Sequence, residues 1–335
     1  MFKNCCCFLY IFRKRPVKQN ADMFSGIVLP INSHPSTTNK MGKYKINPTH
    51  EIDFKPENIK EVLGEGGASI VYKYKVDNRV IACKKLSKSL RTVKHEIKIM
   101  SSYKDNVYLP KYFGCHFENC DSEQDNNLSI PLNSCQYIFM EYCPGKELFE
   151  MLKRNYNYIR IIDIIRQLVS AISHLQKHRI IHADIKLENI IVNKHNKIKL
   201  VDFGLSRKVL KNKQSVLLNK YIGTIGYVSP EVMIDNYMTY KTDLWSVGIV
   251  CYMLINNTHL FNVVDRQSYK TQLVCLDEIL TKGLFIYNSS VPNLAYVKIL
   301  SFMTKTICRD ETRMTTKECL NHPIFSILKR ETNKF

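Results

Sequence analysis

The stretch from Ile181 to Gly204 constrains this chain more than any other. It reads Ile-His-Ala-Asp-Ile-Lys-Leu-Glu-Asn-Ile-Ile-Val, then a polar turn, then Lys-Leu-Val-Asp-Phe-Gly. Ile190 to Val192 and Ile198 to Val201 are apolar runs flanking Asn193–Lys197, a pattern that predicts two brief strands in a hairpin. A hairpin brings Asn189, just before the first strand, close to Asp202, just after the second. Carboxylate and amide oxygens gathered this way suit Mg²⁺, a hard cation that keeps waters and shares its shell with phosphate oxygens. Asp184 precedes Asn189 by one short loop, where it can receive a hydroxyl proton, and Lys186 can steady a migrating phosphoryl charge.

Taken together, His-Ala-Asp-Ile-Lys-Leu-Glu-Asn (182–189) and Asp-Phe-Gly (202–204) resemble the catalytic and metal-binding loops of the eukaryotic protein kinases. There the first segment reads His-Arg-Asp-Leu-Lys-Pro-Glu-Asn. The resemblance implies an α+β, two-lobed protein kinase fold: a small antiparallel-sheet N-lobe with one main helix, and a larger, mainly helical C-lobe. The domain is expected over 52–326, with the N-lobe at 52–143 and the C-lobe at 144–326. An extension (1–51) precedes it and a short tail (327–335) follows. ATP and Mg²⁺ are the implied cofactors, and Asn189 and Asp202 the implied metal ligands.

Composition agrees with a globular domain. Hydrophobic content is 45% and charged content 24%, and 335 residues can bury a sizeable core. No apolar run reaches the ~18 residues of a spanning helix. A net charge of +19 favours acidic surfaces, but lysines are scattered throughout and a lysine-rich solvated surface accounts for it; no nucleic-acid partner is expected. The twelve cysteines include no Cys-x-x-Cys pair, which argues against a zinc module and for reduced thiols in a cytoplasmic protein.

The N-terminus carries Cys5-Cys6-Cys7 beside Phe8–Phe12, then Arg13-Lys14-Arg15. Two readings stand: S-acylation of Cys5–Cys7 backed by polybasic attraction to a membrane surface, or an inert leader. Pro, Ser, Thr and Asn then dominate from Ala21 to His50, as in a linker.

Ile59 to Leu63 predicts a strand leading into Gly64-Glu65-Gly66-Gly67-Ala68-Ser69-Ile-Val71. Glycines let such a turn present backbone N–H groups to phosphate oxygens. By resemblance Leu63 through Ser69 belong to the nucleotide loop, where Ser69 replaces the family's third glycine. Lys84, on the strand Val80–Lys84, then holds the α/β-phosphates and pairs with Glu96. Val71 and Ala82 pack on the adenine with Ile191. Met140 lies behind it, and Glu141 and Cys143 offer it backbone groups. Glu147 contacts the ribose or a basic substrate residue, or is a simple helix-start glutamate. Helices are expected over Thr92–Ser101, Leu148–Lys153 and Ile161–His178, and a surface loop over Glu118–Asn133.

Leu205 to Ile222 reads as a long polar loop, the family's activation segment, closed by Gly-Thr-Ile-Gly-Tyr-Val-Ser-Pro-Glu (223–231). Thr224 with Lys186 is the combination of the serine/threonine branch, which implies protein substrates carrying Ser or Thr. Asp243 is implied to bond the catalytic-loop backbone over the sole tryptophan, Trp245, and Glu231 to pair with Arg313. The wording Asp-Phe-Gly-Leu-Ser and Ser-Pro-Glu-Val-Met most resembles the calmodulin- and calcium-dependent kinase group. No EF-hand loop and no calmodulin-binding helix accompany it, so calcium control in cis is not expected. Ala183 stands for the family's arginine that pairs with an activation-segment phosphate, which implies activity independent of such a phosphate. The competing class is a pseudokinase, a nucleotide-binding scaffold; Lys84, Asp184, Asn189 and Asp202 are all present and argue against it.

Overall fold

The computed structural model describes residues 52, 54–66, 69–76, 78–87, 90–117, 136–152, 157–261, 268–282 and 294–328. The readings for Cys5–Cys7 and Arg13–Arg15, for Gly67 and Ala68, and for the loop over 118–133 fall outside the described residues. Chain contacts set Met1–Lys45 apart from Ile46–Phe335, and every described residue belongs to the second unit.

Period-two alternation builds the first layer. Strands β1 (Ile59–Gly66), β2 (Ser69–Val76), β3 (Arg79–Leu86), β4 (Tyr112–Phe117) and β5 (Gln136–Glu141) form one antiparallel sheet in the order β1-β2-β3-β5-β4. Successive side chains of a strand face opposite ways. Ile81, Cys83, Tyr137 and Phe139 therefore form an outer cluster with Tyr74, while Ala82, Leu86, Ile138 and Met140 join the main core. Phe54 closes the outer cluster, its ring 3.8 Å from that of Tyr137. The same alternation puts Lys84 on the inner face, between Ala82 and Leu86.

Helix α1 (Leu90–Met100) lies on that face. Val93, Ile97 and Met100 recur at helical spacing and are buried, and Glu96 shares their stripe. Below the sheet the chain is mainly helical: α2 (Tyr158–Lys177), α3 (Pro230–Met233), α4 (Thr242–Asn256), α5 (Ser268–Lys282), α6 (Leu294–Thr306) and α7 (Thr316–Leu320). Asn157 caps α2 by accepting from the Arg160 N–H. Helix α4 is apolar nearly all round and packs between α2 and α6, as a buried central helix must. A Cβ at Gly248 would lie 2.6 Å from Ile307 and Thr306 side-chain atoms, so glycine sets how closely α4 approaches the end of α6.

Short strands carry the loops between lobes: β6 (Lys146–Glu147), β8 (Ile190–Val192) and β9 (Ile198–Leu200) form one sheet, and β7 (Ile180–Ile181) pairs with β10 (Arg207–Lys208). Two expectations change. The helix expected over Leu148–Lys153 is not seen in its described part, 148–152: bonds from Glu150, Met151 and Leu152 N–H reach back three residues, giving successive turns. Six residues hold too few hydrogen bonds to repay helix nucleation. The activation segment is also not plain loop, because β11 (Ser215–Leu217) pairs with β12 (Tyr237–Thr239) and the Leu218 N–H extends the ladder to the Asn236 carbonyl.

Candidate active site

The hairpin forms where the apolar runs place it. β8 and β9 pair through Ile190↔Leu200 and Val192↔Ile198, the Asn193 N–H donates to the Lys197 carbonyl, and the Val201 N–H donates to the Asn189 carbonyl at 2.9 Å. That last bond holds Asn189 beside the residue before Asp202. Upstream, the catalytic-loop backbone is fixed from below by Asp243 on α4. Its carboxylate accepts from His182 N–H (2.8 Å) and Ala183 N–H (2.9 Å). Burial pushes the Asp243 pKa up, with His182 and these two N–H groups acting in the opposite direction. Ala183 lies at φ 66 and Asp202 at φ 65, a left-handed backbone uncommon outside glycine and often found at functional sites.

Asp184 is the hub of a dense polar set. Its Oδ1 accepts from the Thr224 hydroxyl at 2.6 Å, and its Oδ2 accepts from Asn189 Nδ2 at 2.9 Å and lies 3.2 Å from Lys186 Nζ. Lys186 also donates to Thr224 Oγ1 at 3.0 Å. An ionised carboxylate offers about four lone-pair sites. Three are taken here, which leaves one for an incoming hydroxyl.

Above this set, Lys84 Nζ donates to Glu96 Oε1 at 2.6 Å and to Asp202 Oδ1 at 2.7 Å. Burial disfavours the lysine charge, but Glu96 and Asp202 outweigh it and hold the Lys84 pKa above the ordinary value. Burial likewise works against the Asp202 charge, and Lys84 overcomes it, keeping that carboxyl well below the usual carboxylate range. Asp202 Oδ1 also accepts from the Gly204 N–H, whereas Oδ2 has no hydrogen bond to a described residue. The Asn189 amide spends its NH₂ group on Asp184, so its carbonyl oxygen is the atom it has for a ligand. Two protein oxygens of this kind fit a magnesium ion that takes its remaining ligands from water and phosphate.

Phe203, fully buried, locks Asp202 in place: its ring lies 5.1 Å from His182 and 5.2 Å from Tyr103. Met100, at the end of α1, shares that core cluster. Tyr103 was not foreseen, since it lies beyond the helix whose periodicity reads clearly.

The nucleotide-side residues come together on the sheet. Ala82 pairs directly with Met140 and Val71 with Lys84. Gly64 pairs with Val71 and Gly66 with Ser69, next to exposed Leu63 and Glu65. A Cβ at Gly64 would meet nothing within 4 Å, so the chain's own packing does not require that glycine. In the hinge, the Glu141 N–H is spent on the Lys111 carbonyl, which leaves its carbonyl, approached by the Cys143 thiol at 3.5 Å. The Glu141 side chain accepts from Lys199 Nζ at 2.7 Å, a tie between hinge and β9 that sequence spacing does not reveal. Glu147 pairs with Ile191 across β6 and β8. Burial, then Glu150 and Glu188, raises its pKa, so three carboxylates share one rim. Gly145 just before it is obligatory: a Cβ there would fall 2.4 Å from the Val192 carbonyl oxygen.

A twisted sheet that lowers a buried lysine onto carboxylates from a helix and a hairpin, over a helical lobe, defines a class of phosphate-handling domain. Known proteins agree with that class. The protein kinase domain family matches residues 57–325, and the chain belongs to it. The architecture is the two-lobed protein kinase fold. Among relatives, serine/threonine-protein kinase PEPKR2 of Arabidopsis thaliana is 27% identical over 78% of this chain and 51% of that protein. An Aurora kinase of Debaryomyces hansenii is 30% identical over 79% of this chain and 61% of that protein. Myosin light chain kinase 2, skeletal/cardiac muscle, of Homo sapiens is 30% identical over 59% of this chain and 32% of that protein. The chain thus covers less than two thirds of the length of each.

Proposed function

We propose that this protein is a serine/threonine protein kinase that transfers the γ-phosphate of ATP to Ser or Thr hydroxyls of protein substrates. The carrying observation is the Lys186–Thr224–Asp184–Asn189 set, in which Asp184 already accepts one hydroxyl at 2.6 Å and keeps room for another. In this reading Asp184 orients the substrate hydroxyl and takes its proton, and Lys186 stabilises the charge of the moving phosphoryl group. Lys84 and the loop amides around Gly64–Ser69 hold the phosphates, Glu96 holds Lys84, and Leu63, Val71, Ala82, Met140 and Ile191 enclose the base. Asn189 and Asp202 hold Mg²⁺, which when bound neutralises phosphate charge. Positioning and electrostatics carry the reaction, since little covalent work falls to the protein.

The rim of Glu147, Glu150 and Glu188 favours basic residues near the acceptor. Independence from an activation-segment phosphate is part of the proposal. Ala183 offers no cation, while His95 Nε2 contacts the Ser206 carbonyl at 2.7 Å, Arg207 donates to the Leu205 and Ser206 carbonyls, and β11 is laddered to β12. These contacts tie the segment without a phosphate.

The test is ³²P transfer from Mg·[γ-³²P]ATP to casein and a basic peptide library. Transfer to Ser/Thr by wild type, lost in Asp184→Asn and Lys84→Met, supports the reading. No transfer by folded, ATP-binding wild type would make the chain a nucleotide-binding scaffold instead. No helix among the described residues is long and apolar enough to cross a membrane. For the N-terminus, acyl exchange labelling of wild type against a Cys5/Cys6/Cys7→Ser variant decides between an S-acylated anchor and an inert leader.

A further inference from the structure

Gly226, Tyr227 and Val228 join Thr224, bonded to Asp184, to Glu231, bonded to Arg313. This backbone leaves few polar groups to water. Ser246 on α4 donates to the Tyr227 carbonyl at 2.9 Å. From α5, Gln272 takes the two groups on either side: its Oε1 accepts from the Gly226 N–H at 2.6 Å and its Nε2 donates to the Val228 carbonyl at 3.1 Å. Gln272 is 0% exposed, while Val274, two residues on, is 55% exposed. A buried carboxamide costs desolvation unless both its ends are bonded. Here both ends serve one loop, where a leucine of similar size would have filled the space. The side chain is uncharged and carries a donor and an acceptor side by side, which suits an N–H and a C=O two residues apart. Gly226 itself sits at φ 95, a conformation the tether helps to hold.

We propose that Gln272 is a positioning residue for the phosphoacceptor, holding the Gly226–Val228 backbone at the height where a peptide seated on it reaches Asp184. The proposal rests on the protein kinase reading of the cleft.

Gln272→Ala and Gln272→Glu, assayed beside wild type with a basic serine peptide, test it. In Gln272→Ala the KM for peptide rises about 10- to 100-fold, as the loss of two buried hydrogen bonds implies, while the KM for ATP stays put. The glutamate variant supplies a pH readout. As a neutral acid it reproduces both bonds, its C=O accepting from Gly226 and its O–H donating to Val228. Burial favours that neutral form. As pH rises the proton leaves, the donor is lost, and the carboxylate faces the Val228 carbonyl. Its peptide KM, taken relative to wild type, therefore starts near wild type in mild acid and climbs toward the alanine value in base. A Gln272→Ala enzyme with wild-type peptide KM, or a Gln272→Glu ratio flat with pH, would overturn the proposal. If the alanine variant melts below assay temperature, the glutamate series alone decides. Amide exchange at Gly226 reads the tether without catalysis: slow in wild type, fast in Gln272→Ala, with equal rates overturning it. Wild type that transfers no phosphate while Gly226 exchanges differentially would sink the kinase reading and leave the tether standing.

Discussion

The Glu231–Arg313 pair in the helical lobe and the Lys84–Glu96–Asp202 set in the cleft use the same charges in different surroundings. Arg313 and Glu231 are 0% and 3% exposed, bonded twice at 2.7 and 3.0 Å, and Arg313 also covers the Trp245 ring. Thr242 and the Cys308 and Lys241 carbonyls take up further hydrogen-bonding capacity. Nothing in that pair faces a ligand. In the cleft, Lys84 and Glu96 are equally sealed at 6% and 1%, but Asp202 is 43% exposed. One lysine thus bridges a closed carboxylate and an open one. A sealed pair holds architecture; a set with one open member can exchange partners with phosphate and metal.

Equal substitutions should separate the two. Asp202→Asn, which leaves Lys84 its Glu96 partner, is expected to cut phosphate transfer by about 10²-fold or more while moving the melting temperature little. Glu231→Gln leaves the buried Arg313 charge only Asp310, 3.7 Å away, and should cost about 3–5 kcal/mol of stability by denaturant titration, with transfer per folded molecule largely kept. The reverse pattern would erase the distinction.

Acid sharpens it further. Burial opposes the Glu231 charge, but Arg313 depresses its pKa. A depressed carboxylate contributes stability above its unfolded pKa of about 4.3 and loses it as pH falls through the folded value. The stability gap between wild type and Glu231→Gln should therefore be full at neutral pH and close in acid, which melts across pH would show. By contrast the Lys73–Glu61 pair on the sheet surface, 32% and 56% exposed, should matter little: Glu61→Ala is expected to leave the melting temperature close to that of wild type.

What could be read in advance follows the same division. The hairpin that brings Asn189 near Asp202 was legible because it depends on short-range pattern, apolar runs of strand length around a turn; the Lys84–Glu96 pair came from the family resemblance, since two charges twelve residues apart carry no such pattern. The contacts missed are those between distant short pieces. The three-residue strands β11 and β12 carry too little sequence to show alternation, so the segment read as loop. Gln272 sits on a helix of ordinary composition, and only tertiary placement reveals that its amide meets Gly226 and Val228. Tyr103 and Lys199 are likewise defined by what folds against them.

The central claim is that the chain's own side chains assemble the cleft, with no phosphate on the activation segment. Its most direct test is the initial rate of ³²P transfer by the Ser215→Ala/Tyr221→Phe double variant. A rate within about twofold of wild type is predicted, because neither residue would carry a phosphate needed by the site. A fall of about a hundredfold or more, restored by acidic residues at those positions, would contradict it.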